Sequence, residues 1–212
     1  GYPPTWAAAI MPAFDVCSDT LRSLRGSTLD MFRQPDTLLK AIDVMQEATL
    51  GLVHAAFAVT GVPRQFIPMH KGAAGFMSNE QYARFYWPTF KALIEECIAA
   101  GITPVPLFEG DYTPRLEFLA ELPPGKVAAH FDRVDRKKFK EVCGDVLCFW
   151  GNVPASLLVT GTPQQVKDDV KELIDLFGET GLIIDGPGTI PDQAKPENVE
   201  ALAEAVEEYG RR

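Results

Sequence analysis

"ITPVPLFEGDYTPRLEFLAEL", residues 102 to 122, is the stretch on which the fold of this chain turns. An apolar run carrying two prolines reaches Glu109, breaks at Gly110 and resumes with helical character after Thr113. A short apolar run that passes through a glycine into a helix is a βα repeat. The hand-over holds a carboxylate. Glu109 is therefore a helix cap, a partner for Arg115 or Lys71, or a group that does chemistry.

The same pattern repeats on both sides. Upstream, QFIPM (65–69) ends at His70, and a helix opens at Ser78 with Gln81 completing a capping box. Tyr82, Phe85, Tyr86, Leu93, Ile94, Cys97 and Ile98 keep helical spacing as far as Gly101, with Pro88 expected to kink or split the helix. The quoted stretch itself predicts a strand over 102–108, then a helix capped by Thr113, with Pro114 in its first turn, running to Leu122. Downstream, KVAAHFD (126–132) precedes a helix from about Asp135 to Val142. DVLCFWGNV (145–153) precedes a helix opened by Thr162 and Pro163, with Gln165 closing a second capping box. GLIID (181–185) is followed by a Gly/Pro-rich loop and a last helix near Pro196, whose Val199, Leu202, Ala203 and Val206 fall on one face.

The first 62 residues differ: loop and short helix, then one long amphipathic helix over PDTLLKAIDVMQEATLGLVHAAFAV, with no clear strand before Gln65. His54 inside that helix reads as structural. Residues 1–62 thus form a loop-and-helix region and 63–212 the βα repeats, together one domain. Five apolar strands alternating with helices predict a parallel sheet joined by right-handed crossovers. A closed barrel of this kind needs eight strands and typically ~250 residues. The expectation is an open sheet, or a barrel whose N-terminal strands are absent, and the opening GYPPTW fits a chain that begins mid-fold. Open sheet edges would call for a homo-oligomer or a partner chain that completes the barrel.

Hydrophobic content of 46% and charged content of 23% are those of a globular protein. A net charge of −9 and a pI near 4.9 argue against nucleic acid. No apolar run is expected to reach the ~18 residues of a membrane span, and no secretory leader is read, so the expected place is the cytoplasm. Cys17, Cys97, Cys143 and Cys148 form no C-x-x-C pair and read as small core hydrophobes in a reducing compartment.

In parallel α/β folds chemistry gathers at the C-terminal strand ends. Along that edge the sequence places His70 and Lys71, then Glu109 with Asp111 and Tyr112, His130 with Asp132, Asn152, and Asp185. Each has a plainer alternative: His130 as a satisfied core histidine, Asn152 and Asp185 as loop formers. GPGTIP lacks the lysine and glycine spacing of a phosphate cradle.

The blocks MPAFD…LRG…DMFRQPDTLL, PMHKGAAGFMSNEQYARFYWPTFKALI, LFEGDYTPRLE, GNVPASLLVTGTPQQV and KPENVEAL keep their order and spacing, and together they resemble the uroporphyrinogen decarboxylase superfamily. The resemblance implies a TIM-type (β/α)8 barrel with its site at the strand C-termini. It also implies that about a third of a usual member, the N-terminal strands, lies outside this chain. The superfamily includes haem-pathway decarboxylases and zinc-dependent methyltransferases that move a methyl group between a corrinoid and a thiol or folate. The decarboxylases' N-terminal arginine-rich segment has no counterpart here, and Gly188 stands where their last loop carries a histidine. The thiol-activating methyltransferases' His-x-Cys and last-loop Cys fall on Leu107, Glu109 and Gly188, so the sulfur ligands that favour zinc are missing.

The leading expectation is corrinoid-linked methyl transfer or O-demethylation, with a corrinoid carried by a partner protein. Glu109 would be acid/base or an oxygen ligand for a divalent metal such as zinc, with His130 or His70 as its partner. Tyr112 and Asn152 would orient a small-molecule substrate. As an acid Glu109 would need burial beside Phe108. A second expectation is decarboxylation of a tetrapyrrole or smaller acid held by Lys71 and Arg115, and a third is a non-catalytic subunit.

Overall fold

In the computed structural model, which describes residues 4–178 and 181–211, the repeats build one five-stranded parallel sheet. Residues 1–3 of the GYPPTW stretch lie outside the described residues. The strands are β1 (Arg64–Met69), β2 (Thr103–Asp111), β3 (Ala128–Arg133), β4 (Cys148–Trp150) and β5 (Leu182–Ile183), and their order in the sheet is their order in the chain. Sequential parallel order with crossovers of one hand puts the connecting helices on a single face, as in a barrel and unlike a doubly wound sheet.

That face is aromatic. Phe108, Phe131 and Phe149 stack from strand to strand at 4.7 and 5.7 Å, and Phe177 continues the row at 4.4 Å from Phe149. Phe139 meets Phe131 and Phe149 edge-on. The opposite face is thinner: Trp6 stacks on Phe66 and lies against Trp150, which in turn stacks on His130.

The helices follow their signals with instructive exceptions. They are α1 (Ala13–Val16) running into a π segment (Cys17–Leu21), α2 (Ser23–Arg33), α3 (Pro35–Thr60), α4 (Asn79–Gln81) running into a second π segment (Tyr82–Tyr86), and α5 (Trp87–Ala99). Then come a 3-10 turn (Thr113–Arg115), α6 (Leu116–Leu119), α7 (Arg136–Cys143), α8 (Ala155–Thr160), α9 (Pro163–Phe177) and α10 (Pro196–Tyr209). Both capping boxes form. The split expected at Pro88 is made by the π turn, which frees the ladder just ahead of the proline at the start of α5.

Four expectations are corrected. Before β1, residues 7–10 run along it, with Ala9 bridged parallel to Phe66, so the strand edge is partly covered where no strand was expected. Thr113 does not cap a long helix: Tyr112 stands at the cap position and one 3-10 turn precedes the four-residue α6. On α10 the buried side is Asn198, Ala201 and Ala205, while Ala203 and Val206 are exposed. Small residues let α10 approach α9, and Asn198 bonds to the carbonyls of Leu158 and Gly161, contacts that a hydrophobic stripe does not report. Finally, α3 is long and apolar enough to cross a membrane by length and composition, contrary to expectation. Its Leu38, Ile42, Thr49 and Val53 are buried on the α1 and α5 side. The cysteines are unpaired: Cys17, Cys97 and Cys143 are buried and Cys148 half-buried.

Candidate functional site

The C-terminal ends of the strands carry two cavities that share Glu109. One, about 500 Å³, is lined by His70, Lys71, Phe76, Glu109 and Gly110. The other, about 290 Å³, is lined by Leu107, Glu109, Asp132, Ala155, Pro187, Gly188 and Thr189. A third, about 370 Å³, adjoins them around Asp132, Arg136, Asn152 and Asp169. A further cavity of about 360 Å³ opens at the opposite end of the sheet, around Thr103, Lys126 and Cys148, away from the expected groups.

Glu109 gets its place from an irregularity. The β2–β3 register shifts between Phe108 and Asp111, and Gly110 takes φ +86°, a left-handed angle that a side chain disfavours. The Gly110 amide donates to Asp132 Oδ2 (3.1 Å), which ties the bulge to β3. Asp111 Oδ1 then accepts the Thr113 amide at 2.9 Å. Asp111, not Glu109, serves the start of the helical turn. Glu109 is left with its side chain 49% exposed and its Oε1 3.8 Å from Nε2 of His70.

His70 is held from the other side. Its Nδ1 lies 2.5 Å from Asp19 Oδ2, and Lys71 Nζ reaches Asp19 Oδ1 at 2.8 Å. Partial burial pushes the Asp19 carboxyl up, but hydrogen bonds to His70 and Lys71 and the nearby Lys71 charge outweigh it and hold the pKa below the usual range. Asp19 lies on the first π segment, four residues from Asp15 and on the same side of the helix. Asp15, fully buried, accepts the backbone amides of His70 (3.0 Å) and Lys71 (2.9 Å) and the hydroxyl of Tyr86 (2.6 Å). Sequence reading passed over both aspartates. Their signal was the spacing D-x-x-x-D in FDVCSD, but nothing in it points to a strand 50 residues away.

The other expected residues divide. Tyr112 does not reach the cavity: it is wholly buried edge-on to Phe108 (4.7 Å), and its hydroxyl has no partner among the described residues. Desolvation holds that phenol well above its ordinary pKa. Arg115 is also turned inward, 1% exposed, with its guanidinium donating to the carbonyls of Gly72 (3.1 Å) and Met77 (2.6 Å), bonded to Asn79 and lying over the Tyr82 ring. The role of substrate cation expected for it does not fit this placement. Asn152 is buried, and Arg136 grips it while also pairing with Asp169. Asp185 accepts from the Trp150 indole at 2.9 Å and from the Gly186 amide. His130 is buried against Trp150, and its Nε2 is unpartnered among the described residues. Desolvation lowers its pKa.

No contact between Glu109 and His130, the expected metal pair, is found among the described residues. His130 lies beside Leu107 in the register, one side-chain row below Glu109, and the neighbour of Glu109 is His70. Among the described residues no three of His, Cys, Asp and Glu converge as a metal would require. Nor is Glu109 buried as its acid role was expected to need.

A parallel sheet whose strand order follows the chain, with polar groups at the strand C-termini, is compatible with a barrel-type α/β fold. The chain belongs to the uroporphyrinogen decarboxylase (URO-D) family, whose model matches residues 12–209. It is 28% identical over 141 residues to uroporphyrinogen decarboxylase of Chlorobium luteolum, covering 64% of this chain and 39% of that protein. To that of Pongo abelii it is 25% identical over 189 residues, covering 85% and 50% respectively. The chain thus spans half or less of the length of these curated relatives. Among solved structures it superposes on a methyltransferase from Methanosarcina mazei with a TM-score of 0.75 at 22% identity, over 96% of this chain and 58% of that one. That likeness speaks for the fold.

Proposed function

We propose that the chain is part of a (β/α)8-type barrel enzyme acting in corrinoid-linked methyl transfer or O-demethylation, with His70 and Glu109 as the proton-handling pair. The observation that carries this reading is the Asp19–His70–Glu109 series at the strand ends. A carboxylate on Nδ1 orients the imidazole and stabilises its charged form, and the other nitrogen is left toward the cavity. The proton goes to a departing oxygen or nitrogen from His70, and the exposed Glu109 beside it steadies the imidazole. A reduced corrinoid on a partner protein would supply the nucleophile that takes the methyl group. No divalent metal is assigned a role in this reading, because two donors at 3.8 Å are short of a complete ligand set.

Decarboxylation of a small acid is the weaker reading on one count: both cations it relied on are engaged, Arg115 within the core and Lys71 on Asp19. A homo-oligomer or a partner chain closing the sheet edges belongs to the same proposal.

The test is to present methoxylated aromatics and methylamines with cob(I)alamin and follow loss of the cob(I)alamin spectrum. Turnover is expected, with His70→Ala and Glu109→Gln each slower by about 100-fold. Inactivity toward every donor, or variants as fast as the parent, would remove this reading. Release of CO2 from a carboxylated donor would promote decarboxylation instead.

A further inference from the structure

The loop that carries His70 and Lys71 lies on a buried polar network that the proposed chemistry does not use. Asp15 takes both of their amides, and Tyr86 donates to the same carboxylate. Gly72 lies so close to the rings beneath it that a Cβ there would stand 2.6 Å from the Tyr112 hydroxyl and 3.1 Å from the Tyr86 ring. Arg115 fastens the far end of the loop through the Gly72 and Met77 carbonyls. A carboxylate removed from water is tolerated only when its lone pairs are met, and here three donors meet them. Asp15 and Asp19 share one side of the α1–π helix, one below the loop's backbone and the other beside its side chains.

We propose that Asp15 is the positioning residue of this site: by accepting the amides of His70 and Lys71 it fixes where the imidazole stands, so that Asp19 holds Nδ1–H and Nε2 is the nitrogen turned toward Glu109 and the cavity. Asp15 touches no substrate and acts through His70. The inference rests on the reading of His70 as the working histidine, yet its test does not depend on turnover.

The measurement is side-chain 15N NMR of the whole chain, whose three histidines are His54, His70 and His130, at about pH 8.5, two units above the ordinary histidine pKa. In the parent, His70 is expected as the Nδ1–H tautomer. Asp15→Asn replaces one acceptor oxygen with a donor facing donors, and should return His70 to the tautomer mixture of free imidazole while moving the His70 and Lys71 backbone amides. Asp19→Ala should release the tautomer and leave those amides in place. Asn198→Ala removes a buried hydrogen-bonding side chain at α10 and should move neither. An Asp15→Asn protein that is folded and keeps the parent's His70 tautomer overturns the proposal. If that variant does not fold, Tyr86→Phe decides, because it removes a single donor: a partial shift in the His70 tautomer supports positioning, and an unchanged spectrum overturns it. Tautomer control in a protein without methyl transfer would leave the positioning intact and remove the function.

Discussion

On the β1–β2 side of the site, His70 lies between two carboxylates with its side chain 28% exposed. On the β3–β5 side, His130 is stacked on Trp150 at 5.1 Å, out of water and without a partner for Nε2 among the described residues. The same residue type at two strand ends meets opposite environments. One stands partly in water between two acidic side chains; the other is buried, and desolvation lowers its pKa. The difference lies in what backs each strand end. The N-terminal helix delivers Asp15 and Asp19 to His70, while His130 faces the aromatic inner layer of Trp6, Phe66 and Trp150.

The comparison breaks most readily at Arg115. Arg115→Met should lower stability by about 3 kcal/mol, since it strands the Gly72 and Met77 carbonyls in the core, and chemical denaturation reads it directly. A loss below about 1 kcal/mol would mean that the β1–β2 side is not built on this network. Gly72→Ala comes next, at about 2 kcal/mol, because the new methyl must displace the Tyr112 hydroxyl or the loop itself. Its thermal midpoint should fall with no comparable effect from Gly75→Ala, whose Cβ would meet nothing, beyond the strain of its own positive φ.

The other side is probed through pH. The folded-state pKa of His130 lies below its unfolded value, so the unfolded chain binds more protons as the pH drops. Stability is then complete above about pH 6.5 and declines below it, by at most about 1.4 kcal/mol per pH unit. Urea midpoints measured from about pH 7.5 down to about pH 5 bracket that window. They should show His130→Phe keeping the stack on Trp150 and flattening the decline; parallel curves for parent and variant would refute the neutral, desolvated histidine. The smallest effect is expected at His54, which pairs with Glu96 at 2.7 Å on the outside of α3. His54→Ala should change stability by less than about 0.5 kcal/mol, because both side chains are well exposed.

How much of this was legible in the chain follows from the range of the forces involved. Capping boxes at Ser78 and Thr162, and strands ending at His70, Glu109 and Asp185, are local patterns, and the structure repeats them within a few residues. After Glu109 the prolines and the apolar run fit a capped helix as well as a short turn, and only the folded chain shows Asp111 accepting the Thr113 amide. Tyr112 and Arg115 were assigned to the cavity by proximity in sequence. Yet a bulge at Gly110 and a 3-10 turn at Thr113–Arg115 carry both toward the helix layer. Sequence spacing does not reveal which way a side chain faces across a register shift.

By itself the chain settles its βα rhythm, its parallel sheet and the row of polar residues at the strand ends, since these rest on hydrophobic period and turn chemistry within about ten residues. Which of those residues meet was left to long-range packing. Asp15 and Asp19 come to His70 from 55 and 51 positions away, and burial then separates a histidine at the cavity from one enclosed in the core.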